Sequence, residues 1–187
     1  MNDRLTSSPR RRASPYGTGI NRVHSPLRAR SVPYISIMLG SLLPVLLLAD
    51  VMPMLPPLGY MMLLGWRIVR PGLLPLWVGV PLGAFDDLFS GQPFGSAVLL
   101  WSVTMIALEI IETRFPWRGF WQDWFTAGLA LVLYILAAMV VSGAPITLHM
   151  FVAAIPQIVL AVLLYPLFAR IIAWLDLFRL ARARRVG

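Results

Sequence analysis

Six mostly apolar stretches divide the chain, at 34–52, 58–66, 73–89, 95–111, 124–141 and 149–169. The links between them carry glycine, proline or charge, which interrupt regular structure. Five of the stretches run to seventeen residues or more. At about 1.5 Å per residue, a helix of that length approaches the ~30 Å of a bilayer's hydrocarbon. The stretch 58–66 is shorter, and Arg67 and Arg70 follow it at once. It spans only by borrowing flanking residues or by local thinning of the bilayer. The pattern predicts an all-α polytopic membrane protein with six transmembrane helices over 34–170. Pro44, Pro81 and Pro156 fall inside the stretches, so kinked helices are expected.

Polar positions gather at the two ends. Residues 1–33 mix Ser, Pro and Gly with Arg4, Arg10, Arg11, Arg12, Arg22, Arg28 and Arg30. That composition buries too little apolar surface to offset its ordering entropy and predicts a disordered basic cytoplasmic tail. The first apolar stretch begins late and exceeds the core of a signal peptide, so it is expected to remain in the mature protein. Residues 171–187 predict a basic amphipathic cytoplasmic end: Ile171, Trp174, Leu175 and Phe178 share a side, and arginines multiply toward the terminus. Such a helix rests its apolar face at the interface while its guanidinium groups attract anionic lipid.

Composition agrees with a membrane domain, because 58% of residues are hydrophobic and only 13% charged, where a soluble domain carries about 25% charged. The formal charge of +8 comes from sixteen arginines and no lysine. Cytoplasmic loops collect such residues. With six crossings and the amino terminus inside, every arginine falls on the cytoplasmic side: the tail, Arg67 with Arg70, Arg114 with Arg118, and the group from Arg170 to Arg185. Five crossings would put the two basic ends on opposite faces. Tyr34, Trp66, Trp117, Trp121, Trp124 and Trp174 fall near the same cytoplasmic level, where amphipathic rings prefer to lie. The positive-inside bias accounts for the basic ends without nucleic acid.

The densest polar group lies near the outer end of the third stretch. Gly79, Gly83 and Asp87 recur every four residues and share a helix face. Glycines on such a stripe admit close approach, either by another helix of the same bundle or by a partner membrane protein. A carboxylate at this depth must be hydrated, paired or used. Asp86 and Asp87 are therefore functional candidates, with two plainer readings beside that one: a solvated helix end, or hydrogen bonds to free amides in the turn from Gly91 to Gly95. Asp50 and His149 mark outer ends of the first and last stretches. Glu109 lies a turn inside the cytoplasmic end of the fourth, where Arg67, Arg70 or Arg114 can neutralise it, and a structural ion pair is the preferred reading. Gln157, beside Pro156, can bond across helices.

The absence of cysteine excludes disulfides, thiolate catalysis and cysteine-ligated metals. The second histidine, His24, lies in the tail, which leaves His149 without an obvious metal-binding companion. No nucleophile elbow, phosphate-binding loop or His-Glu-x-x-His occurs. A non-enzymatic protein without cofactor or metal is expected.

Residues 83–95, reading GAFDDLFSGQPFG and preceded by Gly65, Trp66, Arg70 and Pro71, resemble the rod shape-determining protein MreD family. In that family a short hydrophobic segment ends in an aromatic residue and a basic-proline turn. A helix follows carrying Gly, then Asp, then Ser-Gly and a closing Leu-Gly or Phe-Gly. Gly83, Asp87, Gly91 and Gly95 occupy those places here, and the resemblance covers about residues 34–180. The arginine-rich tail is a departure, and the doubled aspartate leaves either Asp86 or Asp87 for the family position. The resemblance implies a bacterial inner-membrane, non-enzymatic part of the cell elongation machinery. It would act beside MreC, the MreB filament and the RodA and penicillin-binding synthase pair during lateral peptidoglycan growth. A different class remains as the alternative: a small transporter or substrate-binding membrane subunit of vitamin type, with Asp50, Asp86, Asp87 and His149 lining an outward pocket.

Overall fold

The computed structural model describes residues 26–47, 55–115, 119–143 and 147–180. Six helices follow in order: α1 (Pro26–Leu47), α2 (Leu58–Val69), α3 (Gly79–Asp87), α4 (Ser96–Arg114), α5 (Phe120–Val141) and α6 (Leu148–Leu180). No strand occurs among the described residues. Three helices, α4, α5 and α6, are long and apolar enough to cross a membrane. Their outward faces carry Leu99, Val103, Phe125, Leu129, Leu133, Leu163 and Leu167, all well exposed. Apolar exposure on this scale suits hydrocarbon rather than water.

Of the other three helices, α2 and α3 are shorter, for different reasons. At 22 residues α1 equals α5 in length, and its apolar part runs over Arg30–Leu46. It begins at Pro26, so residues 26–33 belong to the first helix and not to the expected tail. Proline suits that first position because the donor it lacks would be unused there. Residues 1–25 and 48–54, including Asp50 and His24, lie outside the described residues.

At twelve residues and about 18 Å, α2 is the central helix and packs against α1, α4, α5 and α6. Tyr60, Met61, Leu63, Leu64, Trp66 and Arg67 are essentially inaccessible. A helix apolar all round is buried in protein, so the segment 58–66 is hydrophobic because other helices surround it. Gly65 admits Ile172 of α6 against its bare Cα.

The stretch 73–89 does not form the single helix its length predicts. A turn at Pro71 and Gly72, with Gly72 at φ 76°, leads past Pro75 into a short 3-10 turn, Leu76–Val78. Only then does α3 run for nine residues. Proline restricts the residue before it to extended geometry, which delays the helix. Pro81 falls in the first turn of α3, where its missing donor costs little and no kink is required. Pro33 and Pro44 lie inside α1, and Pro156 and Pro166 inside α6.

Which residues meet at each end shows that the helices alternate in direction. Late α1, the start of α2, the end of α3, the end of α5 and the start of α6 line one cavity. Early α1 meets the end of α2 through Ser36 and Trp66, and the ends of α4 and α6 reach Arg67 and Arg70 at the same level. The start of α1 and the end of α6 therefore lie at one end of the bundle. At about 50 Å, α6 is longer than a bilayer's hydrocarbon and carries the apolar core directly into the charged end. There it turns Ile172 and Asp176 inward and Trp174 and Phe178, stacked at 6.1 Å, outward. The predicted boundary near residue 170 is thus a change of surroundings within one continuous helix.

Candidate functional site

The glycine–aspartate block forms the hairpin between α3 and α4. A Cβ placed on Gly83 would lie 2.7 Å from the Ala97 carbonyl oxygen and 2.7 Å from Val98 Cα. On Gly79 it would lie 3.0 Å from Ser102 N. These neighbours are backbone and have no rotamer by which to yield. The stripe of Gly79 and Gly83 is consequently covered by α4 of the same chain, and the alternative of a partner-contact face does not hold for it.

Asp87 ends α3 with its carboxylate buried against the start of α4. It accepts hydrogen bonds from the amides of Gly95 at 2.8 Å, Ala97 at 2.8 Å and Val98 at 3.3 Å, and from Ser96 Oγ at 3.0 Å. The first amides of a helix have no partner within it, and the helix dipole favours an anion there. Glycine at the N-cap, Gly95, has no side chain to supply one, so Asp87 caps α4 from a neighbouring helix. Gly91 at φ 67° and Gly95 at φ 98° give the connecting turn left-handed geometry that a side chain would strain. Hydrogen bonding to the turn, one of the plainer readings of the aspartates, describes Asp87.

Asp86 has a different environment. Successive residues on a helix differ by about 100°, which turns Asp86 away from α4 and into a cavity at the end of the bundle opposite Arg67 and Arg70. This space measures about 510 Å³. Ser41 of α1, Gln92 of the turn, Tyr134 of α5 and Gln157 of α6 share its wall with Asp86. Gln157 Nε2 donates to the Leu55 carbonyl at 2.9 Å, tying α6 to the approach to α2. Tyr134 stacks on Tyr60 with ring centres 3.9 Å apart, and Tyr60 shares a hydrogen bond of 2.9 Å with Thr104. Of the four residues expected to line an outward pocket, Asp86 alone does so among those described. Asp87 is committed to its cap, His149 is exposed to one side, and Asp50 is not described.

The opposite end carries a charge layer. Arg67, fully buried, pairs with Glu109 and with Glu112, the latter at 2.8 Å. An uncompensated buried guanidinium would cost several kcal/mol, and two carboxylates from α4 offset that cost. Beside it, Asp176 pairs with Arg70 at 2.6 Å and with Arg179 at 2.7 Å. Arg179 also lies over the Trp66 ring at 5.7 Å, within cation–π range. Trp66 Nε1 donates to Ser36 Oγ at 2.8 Å, and Ser36 in turn donates to the Pro33 carbonyl. Glu109 thus finds the first of its three candidate partners. Asp176 and Glu112 were overlooked in the sequence. A lone acid within an apolar-basic segment, three residues before Arg179, was the available signal for Asp176.

These features define a class: an all-helical protein with three helices able to cross a membrane, its described arginines at one end and a polar-walled cavity at the other. Comparison with protein-family models, with curated proteins and with solved structures finds no match.

Proposed function

We propose that the chain is a multi-pass bacterial inner-membrane protein with both ends cytoplasmic, and that it is a non-enzymatic, MreD-like scaffold of the cell elongation machinery. In this reading it supports MreC, MreB and the RodA and penicillin-binding synthase pair during lateral wall growth. The observation that carries it is the 83–95 block. The residues that resemble the family motif, Gly83, Asp87, Gly91 and Gly95, form one mechanical unit that closes a helical hairpin. A motif of that kind maintains shape rather than reacting with a substrate. Partner contact then falls to the exposed apolar faces of α4, α5 and α6, since the glycine stripe is occupied.

Six crossings, with α2 and α3 reaching through protein rather than lipid, are supported by the alternating helices and by the arginines at one end. Reporter fusions after residues 55, 93 and 144 are expected to report the outer side; a cytoplasmic signal at 93 refutes this topology. Depletion in a rod-shaped host is expected to round the cells with no change in vitamin requirement. Normal rods with failed uptake would overturn the scaffold reading in favour of transport.

A further inference from the structure

The scaffold reading leaves the outer cavity without a use. At about 510 Å³ it lies within the range of small-molecule sites. Its walls combine apolar residues such as Phe89 and Met139 with a small polar group of Asp86, Ser41 and Gln92. Ser41 Oγ and Gln92 Oε1 are buried and make no hydrogen bond of ordinary geometry among the described residues. A buried polar atom without a partner is costly, and each such case calls for an explanation. Asp86 has no arginine or histidine paired with it among the described residues.

Gly59 brings two of these groups together. A Cβ there would overlap Ser41 Oγ and lie 3.0 Å from Asp86 Oδ1. The absence of a side chain at the start of α2 therefore makes room for a hydroxyl and a carboxylate to converge. The Asp86 carboxylate and the Gln92 amide oxygen are acceptors, and the Ser41 hydroxyl, even when it turns its proton to Asp86, keeps lone pairs free to accept. An ammonium group presents three donors and one positive charge, matching that set. The ring of Tyr134 adds an aromatic wall suited to a cation. A metal ion fits poorly, because no group of three acidic or histidine side chains gathers among the described residues.

We infer that the outer cavity binds a primary ammonium on an apolar body, with Asp86, Ser41 and Gln92 receiving the ammonium and the α1–α5 wall holding the body. Two sources share this chemistry: a soluble amine from outside, or the headgroup of an aminophospholipid in the outer leaflet. The proposal rests on the six-crossing orientation proposed above, and not on the scaffold role.

The test uses the full chain in lipid nanodiscs of phosphatidylcholine and phosphatidylglycerol. 4-Phenylbutylamine and its neutral counterpart 4-phenylbutanol are titrated while binding is followed by calorimetry. The amine is expected to bind saturably and at least about tenfold more tightly than the alcohol, the scale of a charge-assisted hydrogen bond. Asp86→Asn is expected to remove that preference, and Ala138→Trp, which fills the cavity, to remove binding of both. Equal binding of amine and alcohol by the unaltered chain overturns the proposal, as does no saturable amine binding. Because that comparison needs no variant, a misfolded substitution does not protect the idea. In discs containing phosphatidylethanolamine, loss of the amine signal assigns the lipid headgroup as occupant, and an unchanged signal assigns the soluble amine.

Discussion

Gly83→Leu is expected to abolish the folded protein. Even the first carbon of the new side chain would lie 2.7 Å from the Ala97 carbonyl and Val98 Cα, well inside van der Waals contact of about 3.5 Å. Relief requires α3 to move off α4, which opens the closely packed α3–α4 pair and withdraws Asp87 from its cap. The measurement is the yield of monodisperse protein after extraction and size exclusion. A near-normal yield would mean that α3 and α4 do not meet as described. Gly83→Ala serves as the graded version, expected to lower yield less severely.

Asp87→Ala is expected to cost about 4 kcal/mol of stability. The substitution removes an ionised acceptor shared by four donors, and each hydrogen bond to a charged group contributes about 1.5–3 kcal/mol without simple additivity. Three of the donors are amides at the start of α4 that have no alternative partner within that helix. Reversible unfolding in mixed micelles measures the loss. Asp87→Asn, which keeps an acceptor but not the charge, is expected to lie between. Asp86→Ala is the control and is expected to stay within about 1 kcal/mol, since that carboxylate faces a cavity. If Asp86→Ala proves the more damaging, the roles of the two aspartates are reversed.

The contrast between these neighbours shows how far a one-dimensional reading reaches. Both were visible as acids at a costly depth, and the turn amides were a named alternative for them. Which aspartate bonds to the turn depends on a rotation of about 100° between adjacent positions, and on where α4 lies. The sequence alone does not determine that second element. The glycine stripe poses the same problem. A four-residue spacing predicts that something approaches closely, yet both an internal helix and a foreign one satisfy it. Backbone contact with α4 decides in favour of the internal helix.

The run 58–66 is too short to cross a bilayer by itself, and its hydrophobicity reflects burial beneath four other helices. The run 73–89 is long enough to cross, but the turn at Pro71 and Gly72 ahead of it, and Pro75 with the 3-10 turn inside it, leave only nine of its residues in α3. Of the three prolines expected to kink a helix, Pro81 falls in the first turn of α3, whereas Pro44 and Pro156 lie within α1 and α6. Glu109 was more legible, because an acid set a turn inside the end of an apolar run calls for a cation and only a few were within reach.

Hydrophobic runs were enough to dictate an all-helical protein with helices apolar enough to cross a membrane, because transfer out of water and helix length depend on composition counted along the chain. Which helix became the buried centre, which aspartate closed a hairpin and which faced an open cavity were decided only by packing. Those outcomes depend on distances of a few ångströms between residues far apart in the chain, and such distances exist only once all six helices are in place.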